Sequence, residues 1–129
     1  MKLSVRVYYE DTDCGGVVYY ANYLRYLERA RTEFLRDSGV SLGRLIETGI
    51  VFVVTRVDIS FHKPCKYDDM LVIETELAGS TRATIAFSHV IRREGDPAER
   101  VKATVELASV NSGNRPVRLP DSVRGALKI

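Results

Sequence analysis

An α+β fold, an antiparallel sheet wrapped around one long central helix, is what this chain predicts. Three observations carry the expectation. Residues 22–38 repeat apolar side chains with a helical period, and from Phe52 onward the period falls to two. The late alternating runs are separated by short Gly-, Asp- and Pro-containing reversals, which favour antiparallel pairing. A lone long helix with one apolar stripe must be covered by that sheet.

The elements follow in order. Leu3, Val5, Val7 and Tyr9 alternate with Ser4, Arg6 and Tyr8, giving a first strand over residues 3–9. Tyr23, Leu27, Ala30 and Phe34 recur at i, i+4, i+7 and i+11, with Leu24 and Leu35 widening the stripe and Arg25, Glu28, Arg29, Glu33 and Arg36 opposite it. Asn22 is a plausible N-cap, with residues 18–21 already able to turn into the helix, and Gly39 suits the position just past its end. Residues 41–47 read as one short helix stopped by Gly49. Strands follow at 52–63, 70–78, 84–93 and 100–110, the first ended by Pro64 and the second turning through Gly79-Ser80-Thr81. Val101, Ala103, Val105 and Leu107 are the inward residues of the last strand, and Asp121 can cap a closing helix through Leu127.

Composition bounds the function classes. The 129 residues suit a single domain, 1–129, and show no repeat or linker. A net charge of +2 gives no argument for nucleic acid as a partner. No apolar run is long enough to span a membrane and no signal-peptide layout opens the chain, so cytoplasmic residence is the expectation. Cys14 and Cys65 have neither zinc-ligand nor disulfide-framework spacing, and His62 and His89 are the only histidines; no metal or other cofactor is expected.

Residues 10–23, EDTDCGGVVYYANY, are too rich in polar groups for a plain connection. Asp11 and Asp13 precede a helix N-terminus, where unpaired backbone N–H groups and the positive dipole end can hold a reacting carbonyl. Gly15-Gly16 permits positive φ or a close backbone approach. Read alone, the two aspartates fit turn formation better than chemistry.

Asp11-Thr12-Asp13, then Gly16-Val17-Val18-Tyr19-Tyr20, Asn22-Tyr23 and Glu28 resemble the bacterial hotdog-fold acyl-CoA thioesterases of the YbgC and 4-hydroxybenzoyl-CoA thioesterase type. Pro64 with Asp68-Asp69 matches the family's turn after its second strand, and Arg115-Pro116 with Leu119-Pro120 its closing segment, so the likeness covers almost the whole chain. The resemblance implies hydrolysis of an acyl-CoA to free acid and CoA, with Asp13 as nucleophile or general base. It implies that the helix-start N–H near Tyr20 donates to the thioester oxygen. Gly16, Val17, Val18 and Tyr19 would line the substrate. It further implies dimers or tetramers with active sites between subunits, Asp13 of one facing the helix start of the other. Tyr20 matches the hydroxybenzoyl branch, where the YbgC branch carries His; Cys14 also departs from the small residue or Pro usual after the catalytic Asp.

Several assignments stay subordinate. Asp11 fits a structural role, hydrogen-bonding the loop. His62 could line the cleft, since Pro64 and a turn follow it, and His89 fits a strand residue with satisfied hydrogen bonds. Glu28 is the reserve carboxylate. Arg82 is the first choice for the CoA phosphates, with Arg56 or Lys63 behind it. A hotdog (de)hydratase and a non-catalytic acyl-CoA or acyl-carrier-protein binding module are the competing readings. The first lacks a His in the loop, and the second would tolerate loss of Asp13.

Overall fold

The computed structural model describes residues 1–129. In chain order come β1 (Lys2–Arg6), a 3-10 turn (Tyr9–Asp11), α1 (Tyr20–Asp37), α2 (Leu42–Glu47), β2 (Val51–Phe61), β3 (Met70–Ser80), β4 (Thr84–Arg93), β5 (Glu99–Val110) and α3 (Asp121–Leu127). The strands form one antiparallel sheet in the order β1-β3-β4-β5-β2. The sheet packs on the apolar stripe of α1, which is the hotdog arrangement the sequence predicts.

Periodicity explains the core. Tyr23, Tyr26, Leu27, Ala30 and Leu35 of α1 are buried against Leu71 and Ile73 of β3, Ile85, Phe87 and Ile91 of β4, and the expected inward residues of β5. Phe34 meets Phe87 edge to face at 5.4 Å between ring centres. Leu24 departs from the stripe and stays exposed, on the side of the helix facing β2.

Four boundaries differ from the sequence reading, each for a local reason. Val7 still exchanges backbone hydrogen bonds with Asp68 and Asp69, but Tyr9 leaves the sheet for the 3-10 turn and is exposed. The N-cap of α1 is Tyr19 rather than Asn22; Asn22 lies inside the first turn, and its side chain donates to the Asp11 carbonyl instead of capping. β3 runs on through Ser80, with a register shift between Leu77 and Gly79, so the reversal falls at Thr81–Ala83 and Arg82 stands at its tip. Pro120, not Asp121, precedes α3, and Asp121 occupies its first turn.

The two edges of the sheet are β1 and β2. β2 carries a register shift between Val54 and Arg56 and leaves Val51, Val54, Val57 and Phe61 exposed. Only its β5 side is paired, and the other side is an open row of backbone donors and acceptors.

Candidate active site

Asp11 fixes the loop before α1. Its carboxylate accepts from the Tyr8 N–H at 2.9 Å and from the Tyr26 hydroxyl at 2.8 Å. Its carbonyl accepts from the Tyr19 N–H at 2.9 Å and from Asn22 Nδ2 at 2.8 Å. Burial, then the Asp11 carboxylate, hold the Tyr26 phenol well above its ordinary range, so Tyr26 is the donor in that pair. The structural role expected of Asp11 is what the hydrogen bonds show.

The next residues fold into a tight hairpin. Thr12 pairs with Val18, the Asp13 N–H donates to the Val17 carbonyl at 2.9 Å, and the Gly16 N–H donates to the Asp13 carbonyl at 3.0 Å. Gly16 takes φ of +78°, a conformation that disfavours any side chain. A Cβ at Gly15 would lie 3.1 Å from Asp13 Oδ1, so any side chain there would crowd that carboxylate. Val17 bridges to Lys66 and the Val18 N–H reaches the Cys65 carbonyl at 2.8 Å, which ties the hairpin to the segment after β2.

Asp13 therefore sits at an exposed tip on a braced base. Its Oδ1 accepts from the Gly15 N–H at 2.8 Å, while Oδ2 has no partner within the chain. Tyr19 follows with extended backbone and no side-chain cap. Its phenol is held above the usual range, first by the Tyr20 hydroxyl and to a smaller extent by the Asp13 carboxylate, so Asp13 is within electrostatic reach of the helix entry. The Tyr20 N–H, the first of α1, makes no hydrogen bond within the chain. Asp13 and the Tyr20 amide thus lie seven residues apart at the two ends of one loop, each with a free hydrogen-bonding group and with no hydrogen bond between them.

A cavity of about 270 Å³ opens beside that helix start, lined by Val18, Tyr20, Tyr23, Phe61, His62 and Lys63 among others. The Tyr20 and Tyr23 rings lie 6.5 and 5.6 Å from Phe61. His62 does line this cleft, as its position before Pro64 suggested. A larger groove of about 580 Å³ follows between α1 and the β2 edge, lined mostly by aliphatic side chains from Leu24, Leu35, Leu45, Ile46 and Val54, with Glu28 on its wall. Glu28 is thus two turns from the Asp13 loop.

Arg82 lies at the far end. The Asp13 loop leaves from the Arg6–Met70 end of the β1/β3 pair, and Arg82 follows Ser80, roughly 30 Å away along β3. The Arg82 carbonyl accepts from the Leu119 N–H at 2.9 Å, which draws the closing segment in and gathers Arg82, Arg118 and Arg124 around a cleft of about 400 Å³. None of the three guanidiniums is paired with a carboxylate. Arg118 and Arg124 were not singled out in the sequence, because strand pairing rather than spacing brings them to Arg82. Arg56 is exposed on β2 away from both cavities.

Cys14 is exposed at the hairpin tip and Cys65 is buried, both as free thiols. Burial pushes the Cys65 thiol up, which makes it inert. His89 is buried in the sheet, its Nδ1 2.9 Å from Thr75 Oγ1 and its Nε2 3.4 Å from Arg31 Nη1.

Comparison with known proteins agrees with this geometry. A family model described as thioesterase-like superfamily matches residues 7–127. The acyl-CoA thioesterase YbgC of Haemophilus influenzae is 44% identical over 124 residues, covering 95% of this chain and 90% of that protein. Among solved structures, a probable thioesterase from Bartonella henselae superposes with a TM-score of 0.86 at 37% identity, covering 93% of this chain and 98% of that one. A hypothetical protein from Aquifex aeolicus reaches 0.91 at 30% identity, over 98% of each chain. The antiparallel sheet around one long helix is the hotdog architecture, and this chain belongs to the thioesterase-like superfamily.

Proposed function

We propose that this protein hydrolyses an acyl-CoA thioester to a free acid and CoA, with Asp13 as its carboxylate and the Tyr20 N–H as its oxyanion donor. The observation that carries the reading is the unpartnered Tyr20 amide, at the positive end of an 18-residue helix and on the same loop as a carboxylate with a free oxygen. As charge develops on the thioester oxygen, this N–H strengthens its hydrogen bond; one such donor lowers a barrier by about 3–4 kcal/mol. Asp13 Oδ2 is the oxygen free to attack the carbonyl or to take a proton from water. As a base it directs hydroxide onto the carbon and the C–S bond breaks. As a nucleophile it forms a mixed anhydride, releases the CoA thiolate, and water then restores the carboxylate. Gly16, Val17, Val18 and Tyr19 form the wall that the thioester passes.

The CoA end fits the guanidinium cluster of a second subunit. The Phe61 end of β2 lies beside α1's start, whereas the Val51 end shares its side of the sheet with Arg82, through Val53–Ala108–Thr84 pairing. Antiparallel pairing of the open β2 edge with a copy would bring the partner subunit's Arg82 to the end of the sheet that holds Asp13. Such pairing also covers the exposed edge. Lys63 is the cation of the same chain that lines the Tyr20 cavity. A dimer built this way, with tetramers by further stacking, is the assembly proposed, and cytoplasmic residence goes with a CoA substrate.

The test is thiol release from short, long and aromatic acyl-CoAs by wild type and Asp13→Asn. The variant should lose at least about 100-fold in kcat with little change in KM, because binding groups and the oxyanion donor remain. An unimpaired variant refutes the assignment. Binding of CoA without turnover of any thioester would instead indicate the binding-module reading.

A further inference from the structure

We propose that Arg31 makes this enzyme selective for acyl groups that carry a carboxylate at their distal end. The inference rests on the thioesterase reading above and names the acyl class its site takes. Arg31 is 93% buried, the one charged side chain of α1 that is. No carboxylate lies within 4.0 Å of its guanidinium, and its sole partner is His89 Nε2 at 3.4 Å. Its other N–H groups are not sealed in the core; they open on the 580 Å³ groove that Arg31 lines.

The groove has the shape and charge for such a ligand. Leu24, Glu28 and Arg31 line the groove along one face of α1, and Tyr20, one turn before Leu24 on that face, lines the neighbouring cavity, so the two hollows follow one another along the helix from the oxyanion donor toward the Arg31 head. The eleven residue steps from Tyr20 to Arg31 span about 16 Å of helix axis, the reach of an extended medium-length acyl chain. The groove walls are apolar apart from Thr32 and three charged groups, Arg25, Glu28 and Arg31, which leave one net positive charge. Glu28 and Arg25 are exposed at the side of the groove, whereas Arg31 is inside it. A plain alkyl chain would shut an unpaired guanidinium away from water, which is costly; a terminal carboxylate would pair with it bidentately. His89 cannot provide that compensation, being a neutral acceptor for one N–H only.

The discriminating experiment compares ω-carboxyacyl-CoAs with alkanoyl-CoAs of equal length, on wild type, Arg31→Met and Arg31→Gln. It reads kcat/KM, and by calorimetry the binding of the non-hydrolysable thioether analogues. Wild type should favour the ω-carboxy member of the pair, and Arg31→Met should shift that ratio by about 30-fold toward the alkanoyl member, the scale of one charge-assisted hydrogen bond. Arg31→Gln, which can still donate to His89, should do the same and serves if the Met variant does not fold. A ratio unchanged in the folded variants overturns the proposal, as does wild type binding both analogues equally. An altered dimer equilibrium with unchanged substrate ratio would also overturn it, by showing that a second subunit's carboxylate is the true partner of Arg31. If no thioester is hydrolysed yet the ω-carboxy analogue binds through Arg31, the hydrolase reading fails and the pocket assignment stands.

Discussion

His89 makes the stability of this fold sensitive to mild acid. Burial, and then the Arg31 guanidinium, depress its pKa from 6.5 to about 3. The sign follows from which state binds the proton. Between those values the unfolded chain takes up a proton that the folded chain refuses, so stability is full above the unfolded value and falls as pH drops toward the folded one. Each unit is worth about 1.4 kcal/mol, so the passage from pH 7 to 4.5 removes about 2.5 kcal/mol through this one residue. The assay is urea unfolding across that range on wild type and His89→Gln. Gln keeps an acceptor for Arg31 but does not titrate, so the variant should lose about 2.5 kcal/mol less than wild type over the interval. Carboxylate protonation affects both proteins alike and cancels in the difference. Parallel curves would refute the reasoning, and with it the neutral state of the imidazole that faces Arg31.

Tyr26→Phe should cost about 1–2 kcal/mol of stability, the usual loss when a carboxylate is deprived of a buried donor. Because Asp11 anchors the loop that carries Asp13, the proposed role of Asp13 predicts that kcat falls in that variant more than KM rises, a split that steady-state kinetics on the folded protein would show. Arg82→Glu combined with Arg118→Glu should raise KM for acyl-CoA while sparing kcat. Mixed with Asp13→Asn chains, that double variant should regain activity if Asp13 and Arg82 of one site come from different subunits. No recovery after demonstrated subunit exchange would place both on one chain.

The fold was legible because its two periods are clean. Val101, Ala103, Val105 and Leu107 of β5 lie where alternation puts them, all buried, and the α1 stripe is buried apart from the exposed Leu24 and the half-buried Phe34. The misplaced boundaries lie where a side chain found a partner that linear spacing does not reveal. Asn22 has a capping residue's chemistry, but its amide is taken by the Asp11 carbonyl, and the helix begins three residues earlier, capped at Tyr19. Gly79 looked like a turn and instead sits at a strand irregularity. Arg31 was the overlooked site residue, although a signal existed. It stands four residues after Leu27 and four before Leu35, both fully within the stripe, so a cation at that phase must be buried. Its meeting with His89 could not be read, because 58 residues and the sheet pairing separate them.

The two aspartates of the loop show how one short segment can be both rigid and reactive. Asp11 accepts four hydrogen bonds through carboxylate and carbonyl, which fixes the direction in which the chain enters α1. Asp13, two residues on, spends only one oxygen, and only on a neighbouring glycine amide. A carboxylate with more partners would be positioned better but would be a weaker base and nucleophile. Leaving Asp13 Oδ2 free is tolerable because Asp11 and the Val17–Lys66 and Val18–Cys65 links already hold the hairpin against the helix start. The same helix continues to Arg31, so the amide that faces the thioester and the cation that faces the acyl terminus share one rigid body. Their separation is then set by helical rise rather than by loop conformation, and a change of acyl length must be met by the groove walls of α2 and β2, not by the reacting groups.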